Sequence, residues 1–143
     1  MFFSRPCQHA IRALVYLATC QDETPCNVQE IAAAENLPAP ALAGVLQNLG
    51  RAGLIRSHKG PRGGFALARS PSDMTLYQIM EVVDKTHNLF ECVLGFEACS
   101  AETACPVHDS LMDIREQLRT CLQAVTVADM AAVVVRKRES PSS

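Results

Sequence analysis

The chain of 143 residues contains no tryptophan, two tyrosines and five phenylalanines. Its core must therefore be aliphatic, and an apolar content of 48% is enough to build one. No secretory leader is expected from the opening residues. In MFFSRPCQHAIRALVYLATCQDE the apolar residues are interrupted by Arg12 and flanked by Gln8 and His9, with no small-residue cleavage site. No apolar run approaches membrane-spanning length. The chain is expected to be cytoplasmic and free of membrane contact, a setting where clustered cysteines more often bind metal than pair. No Ser/His/Asp or paired-carboxylate arrangement stands out, and Asp109 beside His108 reads as a charge at a helix N-terminus. An enzyme is therefore not expected. Net positive charge is lacking too: the total is −2, which alone argues against nonspecific nucleic-acid binding.

The charge is unevenly placed, however. Residues 1–70 carry seven Lys/Arg against four Asp/Glu, +3, and residues 71–143 carry six against eleven, −5. From Arg51 to Arg69 there are five basic residues and no acidic one. Such asymmetry can hold a nucleic-acid surface inside a neutral total.

Ile11, Leu14, Val15 and Ala18 recur at helical spacing and predict a core helix over 8–20. Cys7, just before it, is by default a free surface thiol. Cys20 and Cys26 read as small apolar residues. Asn27 with Glu30 forms a capping box opening a helix over 28–36, which Leu37-Pro38 breaks. A second helix runs from Pro40 to Arg51, with Leu42, Val45, Leu46 and Leu49 as its buried stripe. Two short helices joined by a tight turn match a helix-turn-helix. Gly53 sits where the second would end. Residues 54–58 and 65–68 then read as hairpin strands around the turn Lys59-Gly60-Pro61-Arg62-Gly63-Gly64.

That layout is a winged helix. Lys59 and Arg62 would supply countercharge to phosphates or enter a minor groove, while the turn glycines allow close backbone approach. Gln47, Asn48 and Arg51 are the long polar or amide side chains of the second helix. The amides can pair with adenine edges and Arg with guanine. Ala and Gly occupy much of the rest, so phosphate and wing contacts are expected to outweigh base reading. A solvated hairpin with ordinary turn glycines is the plainer alternative.

A helix capped by Thr75 with Gln78 is expected to close this unit near residue 86. Beyond it, CVLGFEACSAETACPVH (92–108) holds Cys92, Cys99 and Cys105, separated by six and five residues, and then His108. The segment has no sustained apolar periodicity and reads as a loop. Three thiolates and an imidazole converging on a metal centre would give it a reason to hold a shape. Zinc is chemically admissible for that set, yet there is no Cys-x-x-Cys knuckle; wider gaps suit an iron–sulfur cluster. Spacing alone leaves both open.

Val107, Leu111, Ile114, Leu118, Cys121 and Val125 then alternate at steps of four and three, a heptad seam on one long helix. Such a stripe needs a partner, either the chain's own core or a second copy. A two-fold homodimer would place two recognition helices on the half-sites of a palindrome in double-stranded DNA. Thr126 and Asp129 suggest a box opening a short helix over 127–135, and residues 136–143 read as a disordered polar tail.

Together these parts resemble the BadM/Rrf-type winged-helix regulators, the bacterial family that includes the IscR, NsrR and RirA repressors. Three features carry the resemblance, which extends from Ala10 to Val133: the wing LIRSHKGPRGGFAL, the three-cysteine loop ahead of the long helix, and the segment TVADM after it. The resemblance implies a mainly α fold with one small β-hairpin. It implies a winged DNA-binding domain over 1–86, a cluster-binding loop over 87–107, and a dimerisation helix with a short terminal helix over 108–135. It also implies a homodimeric regulator, acting as a repressor, whose iron–sulfur cluster senses iron, redox state or nitric oxide. By position the ligands are Cys92, Cys99 and Cys105, with His108 completing the Cys-x-x-His pattern and favouring 2Fe-2S over 4Fe-4S. Where some relatives carry an Asp ligand this chain has Gln8 next to Cys7, so Cys7 stays open as a fourth ligand. Two other functions fit the residues: a cluster-free regulator answering to thiol oxidation or a partner protein, and a small metal-binding or electron-transfer protein, in which the basic wing would have no role.

Overall fold

The computed structural model describes residues 3–20, 24–85, 91–96, 101–103 and 105–140. Six α-helices and one antiparallel hairpin make up the described chain: α1 (Arg5–Thr19), α2 (Val28–Glu35), α3 (Ala39–Arg51), β1 (Ile55–His58), β2 (Gly64–Leu67), α4 (Leu76–Asp84), α5 (His108–Ala124) and α6 (Val127–Glu139). The fold is the expected one, mainly α with a winged helix-turn-helix.

α1 is the hub. It packs against α2, α3, α4, α6 and β2. Its buried residues are Cys7, His9, Ala10, Ala13, Leu14, Val15 and Leu17, a wider arc than the stripe expected from periodicity, because neighbours surround the helix instead of covering one side. Ile11 and Ala18, expected in that stripe, are only partly buried. Ser4 caps the helix by accepting from the Cys7 amide at 3.1 Å, and its own amide donates to Asp84 Oδ2 at 3.2 Å. The start of α1 is thus tied to the end of α4. The helix begins at Arg5, so Cys7 lies in its first turn with 0% exposure, not on the surface. Burial and the neighbouring Asp84 carboxylate push the Cys7 thiol up to about 12.

Local signals fixed most other ends. Asn27 and Glu30 exchange both capping-box bonds, 2.9 and 3.0 Å, at the head of α2. Asn36 closes that helix in the left-handed region at φ 53°. α3 buries Leu42, Val45, Leu46 and Leu49 as expected; full burial of each such side chain is worth about 1.5–3 kcal/mol. Gly53, at φ 78°, ends it, with the Leu54 amide donating back to the Leu49 carbonyl at 3.0 Å. The hairpin pairs Ile55 with Leu67 and His58 with Gly64.

The C-terminal helix returns to the beginning of the chain. The Leu76 amide donates to the Val125 carbonyl at 3.0 Å and the Val127 amide to the Met74 carbonyl at 2.8 Å. These bonds join the heads of α4 and α6, each with its own capping box, Thr75–Gln78 and Thr126–Asp129. Val127 and Ala131 enter the same core cluster as Leu14, Leu46 and Ile79. The helix also runs further than the pattern suggested. Residues 136–139, expected as part of a disordered tail, are helical, and Arg138 reaches Glu35 at 3.7 Å while Arg12 reaches the same carboxylate at 3.3 Å.

Candidate functional site

The exposed side of α3 carries Gln47, Asn48 and Arg51, and the wing tip carries Lys59 and Arg62, all exposed. Burying the leucine stripe of α3 leaves these residues on the outer face, since positions three and four apart share a side. Ala41 and Gly44 on the same exposed side add little height. The wing is shaped by close backbone approaches. A Cβ on Gly63 would collide with the His58 carbonyl, and one on Gly64 would lie 2.5 Å from the Cys26 carbonyl carbon. The second contact reflects an added ladder. The Cys26 amide donates to the Phe65 carbonyl at 2.9 Å, and the Phe65 amide returns the bond at 2.7 Å. The segment before α2 therefore pairs with β2 and anchors the wing to the helix-turn-helix.

The cysteine linker differs in character. Cys92 and Cys105 are half-buried, while Val93, Leu94 and Phe96 beside Cys92 are 62–63% exposed. Cys99 lies outside the described residues. His108 is 7% exposed and opens α5, its amide donating to the Cys105 carbonyl at 3.0 Å. Arg115, two turns into α5, donates from Nη2 to the Glu91 carbonyl at 2.6 Å. Glu91 and Cys105 thus both bond to the same helix. Among the described residues no three ligand groups gather at metal-binding distance. The donor chemistry itself, soft thiols with an imidazole, suits iron–sulfur ligation. Cys7, left open as a fourth ligand, is sealed in the core on the N-terminal turn of α1 with a raised thiol pKa.

The heptad seam of α5 is uneven. Val107 and Ile114 are 45% and 55% exposed, Cys121 is exposed, and Leu111, Leu118 and Val125 are half-buried. The apolar residue that α5 buries in the core is Leu122, outside that seam, while Leu118 of the seam packs against the core only in part. The chain's own core therefore leaves much of the stripe uncovered.

The model of the Rrf2 family, described as iron-dependent transcriptional regulators, matches residues 3–133. The chain belongs to the Rrf2 family of transcriptional regulators. It is 35% identical over 132 residues to an HTH-type transcriptional regulator of Aquifex aeolicus, covering 91% of each chain. Its fold is similar to that of CymR, described as the global cysteine regulator of B. subtilis, with a TM-score of 0.77 at 25% identity over 92% of this chain and 96% of that one. It is also similar to T. potens IscR, with a TM-score of 0.70 at 27% identity over 92% and 87%. Membership of a family of transcriptional regulators implies that the chain binds DNA. No helix among the described residues is long and apolar enough to cross a membrane.

One grouping escaped the sequence pattern. Cys20 and Cys26, expected to act as small apolar residues, bring their Sγ atoms to 3.7 Å. The six-residue separation was visible, but the approach depends on how the end of α1 meets the wing ladder.

Proposed function

We propose that this chain is a homodimeric repressor acting in the cytoplasm on a palindromic operator, with an iron–sulfur cluster controlling its DNA affinity. Gln47, Asn48 and Arg51 on α3 face the major groove, and Lys59 and Arg62 on the wing neutralise phosphates or enter the minor groove. The uncovered apolar stripe of α5 supports pairing with a second copy, which would set the spacing of two α3 helices. Cys92, Cys99, Cys105 and His108 would hold the cluster, with 2Fe-2S favoured over 4Fe-4S. When bound, such a cluster supplies a centre that responds to iron supply, redox state or nitric oxide.

The observation that supports the reading is the attachment of both Glu91 and Cys105 to α5. Cys105 and His108 share the turn that starts this helix, and the Arg115–Glu91 bond holds the residue next to Cys92 against it. Ligands drawn to one centre would therefore fix the linker between the winged unit and the dimer helix. Differential affinity of a few kcal/mol between the two linker states is sufficient for a switch.

The experiment is anaerobic preparation followed by visible absorption, iron and sulfide analysis, and promoter binding at one fixed salt concentration. The reading requires bound iron and sulfide, and DNA affinity that differs between loaded and stripped protein. It requires each of the replacements Cys92→Ser, Cys99→Ser and Cys105→Ser to lower iron content. Equal promoter binding by loaded and stripped protein would sink it.

A cluster-free regulator of the same fold is the second reading. The similarity to CymR and the half-buried linker thiols favour it. Colourless protein without iron after anaerobic preparation would decide for it.

A further inference from the structure

Cys20 and Cys26 stand outside the linker and outside the DNA-facing residues. Cys20 caps the C-terminus of α1 and is half-buried; Cys26 is buried. Their sulfurs, 3.7 Å apart, are within reach of bonding after a small rotation of the side chains. Cys26 is carried on the backbone that pairs with Phe65 in β2, so anything that moves it moves the wing. Cys20 opens on a cleft of about 440 Å³ between the end of α1 and one face of the hairpin. Arg56 and His58 project to the same side of β1, as alternation in a strand dictates, and with Arg69 they line this cleft. No carboxylate is among its described lining residues. The described wall of the cleft thus presents two guanidinium groups and an imidazole beside a thiol, around a volume that takes a small organic molecule.

We propose that Cys20 and Cys26 form a dithiol oxidation site at the root of the wing, with a small carboxylate-bearing disulfide as its oxidant. Cys20, the more accessible sulfur, attacks the bound disulfide as thiolate. A mixed disulfide forms on Cys20 and one small-molecule thiol leaves. Cys26 then attacks the Cys20 sulfur, the Cys20–Cys26 bond forms and the second small-molecule thiol leaves. Two electrons pass from the protein to the oxidant, and the two cysteine protons end on the two released thiols. Burial and the adjacent Cys20 push the Cys26 thiol up to about 11, in keeping with Cys26 as the second and slower nucleophile. The new bond draws the Cys26 segment toward α1 and pulls β2 with it, displacing the wing relative to α3. DNA affinity falls on oxidation. This site makes no use of an iron centre.

Residues 13–51 contain no Lys or Arg before Arg51, so trypsin places Cys20 and Cys26 on one peptide with no other cysteine. Reduced full-length protein is treated with glutathione disulfide, alkylated and digested. The expected product is this peptide carrying an internal disulfide, formed faster than with uncharged hydroxyethyl disulfide. In C26S the mixed disulfide accumulates on Cys20; in C20S no glutathione is retained on this peptide. Promoter affinity of the oxidised wild type falls about fivefold or more, whereas the C20S/C26S double variant, which keeps all linker cysteines, changes less. Two alkylatable thiols on the native peptide, equal rates with the two oxidants, or equal responses of wild type and double variant would each overturn the proposal. Because the readout sits on a peptide separate from Cys92, Cys99 and Cys105, failure of the cluster reading leaves this test intact.

Discussion

Cys20 and Cys26 are held beside the wing by a backbone ladder and the end of a core helix, whereas Cys92 and Cys105 stand on a linker whose apolar neighbours face solvent. The first pair is positioned by the fold. Among the described residues the linker pair lies outside the aliphatic core cluster, and Val93, Leu94 and Phe96 offer surface that the described chain leaves uncovered. The contrast teaches where each segment's order comes from. The winged unit closes on itself through the aliphatic cluster around α1, while the described part of the linker is held to α5 by the bonds of Glu91 and Cys105.

The sharpest way to break this contrast is at Gly64. Replacing it with Ala puts a Cβ against the Cys26 carbonyl carbon, where backbone must shift. Gly64→Ala is expected to lower stability by about 2 kcal/mol in a denaturant titration and to separate Cys20 from Cys26. A variant as stable as wild type would show that the ladder does not anchor the wing.

Lys59→Ala with Arg62→Ala tests the outer side of the same unit. Folding should be nearly unchanged, because both side chains are exposed. Promoter binding should weaken, with the slope of log affinity against log salt reduced by about 2. An unchanged slope would remove the wing tip from the interface.

His9 offers a pH test of the core. It is buried at 8% exposure, and its Nδ1 meets no hydrogen-bond partner among the described residues. Burial, with Arg12 and Arg5 nearby, lowers its pKa below 6.5. In that window the unfolded chain binds a proton that the folded chain does not, so stability falls as pH drops below 6.5 toward the lowered value. Thermal melts across this range should show the decline in wild type and a flatter profile in His9→Gln.

The smallest effect is expected in the linker. Phe96→Ser, at a side chain 62% exposed, should change folding stability by no more than about 0.5 kcal/mol. A large loss would mean that the linker is packed against something in the free protein.

What could be read in advance follows interaction range. The boxes Asn27–Glu30, Thr75–Gln78 and Thr126–Asp129 each span three residues, and each formed. The leucine stripe of α3 and the hairpin were likewise set by short-range periodicity and turn residues. The exposed candidates Gln47, Asn48, Arg51, Lys59 and Arg62 followed from those elements. Cys7 was misplaced because its burial depends on α4 and Asp84, far along the chain. The thiol approach at the wing root was missed for a similar reason, since it needs the Cys26–Phe65 ladder.

The sequence by itself determined the helices, the hairpin and the basic glycine-rich wing, because capping, periodicity and turn chemistry act over three or four residues. It also placed three cysteines and a histidine ahead of α5. Only the tertiary structure decided that α6 returns to α1, that Leu122, outside the heptad seam, is the apolar residue of α5 buried most deeply in the core, and that Cys20 meets Cys26. Those outcomes rest on contacts between distant segments, whose geometry is set by how aliphatic surfaces pack together and not by any local run of residues.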